Sequence, residues 1–373
     1  MIKSILKAPK KVLNKQDIVA AVVIGICVVF FLLRAPFGFN LDDESWYTTF
    51  AHRVFLGDSL FTHDWNVAQL IGFILYLPVR LFISITGSTQ GITLTFRYLF
   101  ILFQTFVTVF AYWRLRRYGY ISIWACVVFF LHVSWFVMAL YYNTMGVGFV
   151  LISGLTLATA DKMNKFACFF LGVCFALAVL CNPPLALAYF ILSIFLFIRH
   201  RSEKLKELTG YLPDEVFSGK AWFRSTWGIM LTALVLLLFV FSRTDLYNFL
   251  LNLPHLFTDP EYAFTLDSSA VSRVFQPLNT FKEFINLSKP LFYISLVLFV
   301  RIISDKRRLL NRHIYLSLTT GVALAYMIVI LKAVHPFTYM LWMFPILFPG
   351  LTAYIFSEKR DIRCFVFVWC LGV

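Results

Sequence analysis

The chain has 373 residues, 60% hydrophobic and 14% charged, with a mean hydropathy of +0.79. Soluble domains are about 45–50% apolar and about 25% charged, so this composition excludes a soluble globular enzyme and points to a polytopic membrane protein. The net charge of +14 asks for no nucleic acid partner, because basic residues collect on the cytoplasmic side of such proteins.

A basic start precedes an apolar run over 18–36. No small-residue cleavage site follows it, so it reads as a retained first span. The stretch "GFNLDDESWYTTFAHRVFLGD" comes next, with three adjacent acids, Asp42, Asp43 and Glu44. Residues 43–56 have helical spacing: Trp46, Phe50 and Val54 form one stripe, and Tyr47, Ala51 and Phe55 the next. Gly57 is a natural stop. An amphipathic helix on the outer leaflet is predicted, with Asp42 or Asp43 as its cap. One acid satisfies a cap, and three exceed that need. The segment 67–86 is apolar but carries Pro78 and Arg80.

Further spans are predicted at 93–113, 121–140, 146–160, 166–181, 184–198, 226–242, 290–303, 313–331 and 338–356, against the about 20 apolar residues that a span requires. If 67–86 does not cross, most of the 33 Lys and Arg fall on the N-terminal side of the membrane, among them Lys3–Lys15, Arg114–Arg117, Lys204, Lys206 and Arg307. If it crosses, the N-terminal lysines face away from every later basic loop. The positive-inside rule favours the first arrangement. The N-terminus is then cytoplasmic, and 67–86 is a juxtamembrane or re-entrant element inside one long outer loop, 37–92. A second long outer loop covers 243–289. The last apolar run, 364–373, is too short to cross, which suggests a truncated sequence or one lacking a closing domain.

The seven cysteines lie in or at the edge of apolar runs. No CxxC or Cys/His metal spacing occurs, so they read as small apolar side chains. His63-Asp64 leaves a divalent metal open as a weak signal; no resident cofactor is expected.

The order of features after the first span resembles the GT-C superfamily of membrane glycosyltransferases, especially the protein O-mannosyltransferase and aminoarabinose-transferase branch. Asp43-Glu44-x-x-Tyr47 opens the outer-loop helix, "LGDSLFTHDW" follows, then the embedded segment, and "TFRYLF" opens the next span. A long loop after the seventh span is shared too. The resemblance implies an all-α GT-C-like fold, a single domain over 1–373 of about 10–11 transmembrane helices. The first outer loop would be catalytic and 243–289 a lid. It also implies transfer of a sugar from a polyprenyl-phosphate donor to a glycan, lipid or protein acceptor at the outer face of the cell membrane, with inversion. Asp43 would be the general base and Glu44 would orient the acceptor or Asp43. A carboxylate facing the sugar also stabilises an oxocarbenium-like transition state.

Asp64 is a further candidate site residue; its plainer role is a turn before 67–86. Tyr47 completes the motif. Arg53, Arg80, Arg243 and Lys332 are the outer cations that could hold the donor phosphate, since arginine forks onto phosphate oxygens. Span-end cations also simply snorkel to the interface. Arg80, inside an apolar segment, is the costliest to leave unpaired. Two alternatives stay open: a transporter or flippase of a lipid-linked saccharide, and a non-catalytic GT-C-like protein that binds one. A transporter places its charges near mid-span, whereas here the acids cluster at one rim.

Overall fold

In the computed structural model the described residues run from 14 to 254, with breaks at 39–42, 65, 132, 134–136, 160–162, 184, 204–217 and 253, and residue 293 is described alone. They form helices and turns, with no strand among them. The helices are α1 (Lys15–Arg34), α2 (Asp43–Leu56), α3 (Ile71–Thr86), α4 (Ile92–Leu115), α5 (Ile121–Leu131), α6 (Tyr142–Thr159), α7 (Lys165–Cys181), α8 (Leu185–Arg201), α9 (Gly219–Phe241) and α10 (Leu246–Asn252). A 3-10 turn, Val67–Leu70, leads into α3. Among the described residues four helical segments are long and apolar enough to cross a membrane: Lys15–Arg34, Ala68–Thr86, Ile92–Leu115 and Gly219–Phe241. Their outward faces are apolar, as at Val22, Ile26 and Phe30 of α1 or Trp227, Leu231 and Leu234 of α9. Such continuous exposed apolar surface suits lipid rather than water. The expected spans at 290–303, 313–331 and 338–356, and most of the 243–289 loop, lie outside the described residues.

Helices α1 and α4 run antiparallel and are pinned at both ends. At one end the Gln16 amide donates to the carbonyls of Arg116 and Gly119, each at 2.9 Å, and the Tyr112 hydroxyl donates to Asp17 at 2.7 Å. At the other, Arg97 donates to the Ala35 carbonyl at 2.6 Å. The chain therefore leaves α1 and enters α4 at the same rim, and everything between them starts and finishes there.

Helix α2 forms because its apolar residues fall at i, i+3, i+4 and i+7. Tyr47, Phe50, Ala51 and Val54 are all buried, while Trp46 is half exposed. Tyr47, Phe50 and Ala51 share a core with Ile71, Leu75 and Val79 of α3 and Phe96 and Phe100 of α4, and Val54 packs in a second cluster with Leu60 and Val240. The predicted helix is thus correct in extent, but it is sandwiched between helices instead of lying bare on a leaflet. Helix α3 stops at Gly87, whose φ of 64° lies in the left-handed region that favours glycine.

The predicted span 121–140 is corrected. Helix α5 ends at Leu131, and residues 137–141 are non-helical yet buried. Side chains take over the hydrogen bonding. Gln104 donates to the carbonyls of Phe129 (2.8 Å) and Phe130 (3.4 Å), and Thr144 donates to the Ala139 carbonyl at 2.9 Å. The Tyr141 amide donates to Thr144 Oγ1 at 3.2 Å. Irregular backbone at bilayer depth survives only when protein groups satisfy it in this way.

Helices α7 and α9 cross at glycines. A Cβ on Gly172 would overlap the Ser225 carbonyl oxygen, and one on Gly228 would overlap the Phe169 carbonyl oxygen. Small residues that let backbones touch replace the hydrophobic drive that lipid removes. Helix α8 joins this pair through Tyr189, which stacks on Trp222 at 4.5 Å and 17°.

Candidate functional site

The three acids open α2, and the structure gives one of them a firm place. Glu44 is 2% exposed and Arg97 6%. Arg97 Nη2 and Nε donate to Glu44 Oε2 at 2.6 and 2.9 Å, and Nη1 donates to the Ala35 and Phe37 carbonyls. The other Glu44 oxygen accepts the Met138 amide at 3.3 Å. One ion pair therefore ties together the end of α1, the start of α2, the start of α4 and the irregular segment after α5. Burying two charges is tolerable only with such full hydrogen bonding. Asp43 is the first residue of α2; its side chain lies outside the described residues, as does all of Asp42.

Tyr47, one turn on, is buried in a ring cluster, 5.3 Å from Tyr141 and 5.2 Å from Tyr142. It is a packing residue that joins α2 to the start of α6.

The other expected residues lie at the opposite end of α2. Arg53 donates to Asp58 and Asp64, both at 2.7 Å, and to the His63 carbonyl at 3.0 Å. Asp64 also accepts the Asn66 amide at 2.9 Å. Arg53 and Asp64 thus brace the loop 57–64, and Asn66 caps the turn into α3 by accepting the Ala68 amide. Within the loop Phe61 has φ of 67°, strained for a residue with a Cβ. Its amide donates to buried Gln69 at 2.6 Å. The Ser59 amide donates to His63 Nδ1 at 2.9 Å, so in the neutral ring the proton is on Nε2.

This loop docks on the end of α9. The Ser59 hydroxyl donates to the Arg243 carbonyl at 2.7 Å, and Arg243 Nη1 donates to the Val54 carbonyl at 2.5 Å. The Arg243 guanidinium also lies over the rings of Phe239 (4.6 Å) and Tyr76 (4.9 Å). Arg80 is exposed. It donates to the Tyr76 hydroxyl at 3.4 Å. The structure therefore brings Arg80 and Arg243 together on Tyr76. Lys332 lies outside the described residues.

Between the loop and the α9–α10 turn is a cavity of about 690 Å³, lined by Thr62, His63, residues 241–245, Asn248 and Asn252. Asp245 accepts the Asn248 amide at 2.8 Å and its side chain at 2.6 Å. These bonds hold its carboxyl below the ordinary aspartate value.

The expected site divides in two. From Glu44 to Val54 is ten residues of helix, about 15 Å of rise. Asp43 and Glu44 occupy one end, and Arg53, Asp64, Arg243 and Arg80 gather at the other. Arg97 is the residue that sequence reasoning passed over. Its signal was a charge six positions into an apolar span, which needs a buried partner. Among the described residues no group of three or more His, Cys, Asp or Glu could hold a metal ion. No family model, no curated protein and no solved structure matches the chain.

Proposed function

We propose that the chain is an integral-membrane glycosyltransferase that uses a polyprenyl-phosphate sugar at the outer face of the cell membrane, with Asp43 as general base. One observation carries the reading. The first residue of α2 is followed at once by a carboxylate that four structural elements hold in place, beside the end of the candidate span α1. A catalytic base must keep its geometry through the reaction. The Glu44–Arg97 pair supplies that rigidity to the turn bearing Asp43.

In this reading an acceptor hydroxyl attacks the anomeric carbon of the donor. Asp43 takes the hydroxyl proton as the new glycosidic bond forms, and the lipid phosphate leaves with the electrons of the broken C–O bond. The acceptor is a glycan, lipid or protein. Both oxygens of Glu44 are engaged, so Glu44 acts through the backbone as a positioning residue and does not touch the acceptor. The N-terminus is cytoplasmic, which sets the α2 rim outside.

The test is Asp43→Asn in membranes supplied with a lipid-linked sugar donor. Sugar transfer falls to background while the melting temperature is unchanged, and Asp42→Asn retains transfer. Full activity in Asp43→Asn removes the base assignment.

The division of the site favours a second reading. A glycosyl phosphate places its phosphate within a few bonds of the anomeric carbon, yet Arg243 is about 15 Å along α2 from Glu44. A non-catalytic protein that binds a lipid-linked saccharide meets that geometry without strain. Stable donor binding with no turnover by the wild-type chain selects it.

A further inference from the structure

Loop 57–64 is fastened to the end of α9 at Ser59 and Leu60. Ser59 is 2% exposed, and its hydroxyl donates to the Arg243 carbonyl. Its amide donates to His63 Nδ1 at 2.9 Å, and that nitrogen is the amide's one acceptor among the described residues. The tie is returned from the other side. The His63 amide and the Thr62 hydroxyl both donate to the Ser59 carbonyl at 3.2 Å. Residues 59–63 thus close on themselves, with the His63 ring as the clasp. The side chains inside that closure make the dock. Leu60 is buried in a core with Val240, and Phe61 meets Phe249 edge to face at 5.3 Å.

The clasp works in one protonation state. A bare Nδ1 accepts a hydrogen bond, whereas an imidazolium carries a proton on both nitrogens and accepts none. Proton uptake at Nδ1 sets donor against donor. The Thr62 hydroxyl, 3.4 Å from Nδ1, can turn to accept from the imidazolium. The buried Ser59 amide then keeps no acceptor, and a buried donor without one is costly. The docked loop requires Nδ1 bare and the loosened loop does not, so proton uptake and docking oppose each other. Docking is complete at high pH and weakens as pH falls through the range in which histidines take up a proton. His63 is exposed, so the proton arrives without prior unfolding. The charges around it are mixed. Arg53 of α2 donates to the His63 carbonyl and pairs with Asp58 and Asp64. Arg243 and Asp245, from the α9–α10 turn, line the cavity that His63 also lines. Two guanidiniums so stand near three carboxylates among the described residues, and their near balance leaves the Ser59 amide to distinguish the two forms of the ring.

We propose that loop 57–64 is an acid-sensitive latch: neutral His63 holds it on the end of α9, and protonation at Nδ1 loosens it, uncovering Leu60 and opening the cavity that Thr62 and His63 wall. Its parts lie at the opposite end of α2 from Asp43, so the latch stands or falls independently of the proposed transfer chemistry.

The experiment is hydrogen exchange with mass spectrometry on the full chain in detergent micelles, at about pH 8 and about pH 5.5, read as protection relative to the intrinsic rate at each pH. This window brackets the usual histidine range and stays above that of carboxylates, so the Arg53 pairs persist. Protection of peptides covering 59–63 is expected to fall about tenfold at the lower pH, as for one buried hydrogen bond lost, while peptides from α4 hold theirs. His63→Asn keeps an acceptor oxygen where Nδ1 stood and takes up no proton, so its loop should stay protected at both pH values. His63→Leu offers no acceptor, so its loop should be loose at both. Unchanged protection in wild type, an equal fall in His63→Asn, or a loop as protected in His63→Leu as in wild type at the higher pH each overturns the proposal. A fall in α4 as large as that in the loop overturns it too, because acid then loosens the fold at large and not the latch.

Discussion

At the residue scale, the Glu44–Arg97 pair decides what the acids after the first span are for. Removing one partner leaves a buried charge uncompensated, which costs about 3–5 kcal/mol. Arg97→Met and Glu44→Gln should therefore each lower the melting temperature of the detergent-solubilised protein sharply. The double variant Glu44→Leu, Arg97→Met should lose much less than the two single losses added, because no charge is then stranded. A melting temperature for Arg97→Met equal to wild type would show the pair to be idle. Nothing local in the sequence links positions 44 and 97. The acids were legible as a cluster, but their division of labour was not, because it is set by a partner in a different helix. The same holds for Arg53 and Asp64. Each was legible as a candidate for substrate, and only the fold shows that they bond each other.

At the element scale, periodicity carried most of the information. The i, i+3, i+4, i+7 pattern of Tyr47, Phe50, Ala51 and Val54 fixes both the helix and its buried face. What periodicity missed was α5, where an apolar run of spanning length breaks at Leu131. Hydropathy measures side chains, whereas that break is made by Gln104, Thr144 and Glu44 bonding to backbone groups. The α7–α9 crossing was equally silent, since Gly172 and Gly228 are unremarkable in sequence. In the fold each lies against a backbone carbonyl, so an added Cβ has no flexible neighbour to displace. Gly172→Ala and Gly228→Ala should each destabilise by about 1–3 kcal/mol, as overpacking does. Gly25→Ala, where nothing lies within 4 Å, serves as the neutral control. Thermal melts that rank all three alike would refute the close crossing.

At the scale of the whole molecule, one bond bears on whether α3 crosses. Arg97 reaches Ala35, so the start of α4 shares a rim with the end of α1. Ser59 reaches Arg243, so loop 57–64 shares a rim with the end of α9. A single crossing by α3 would separate the first pair by a bilayer. Helix α2 cannot supply a compensating second crossing. Its 14 residues rise about 21 Å against a hydrocarbon core of about 30 Å. The expectation is that α3, though apolar and long enough to span, lies along the rim. Cysteines placed at exposed Leu56 and Thr89, on either side of α3, should therefore both react with a membrane-impermeant maleimide added outside intact cells. A cysteine at exposed Tyr120, beyond α4, should react only after permeabilisation. Opposite labelling of Leu56 and Thr89 would make α3 a span, and outside labelling of Tyr120 alone would invert the molecule.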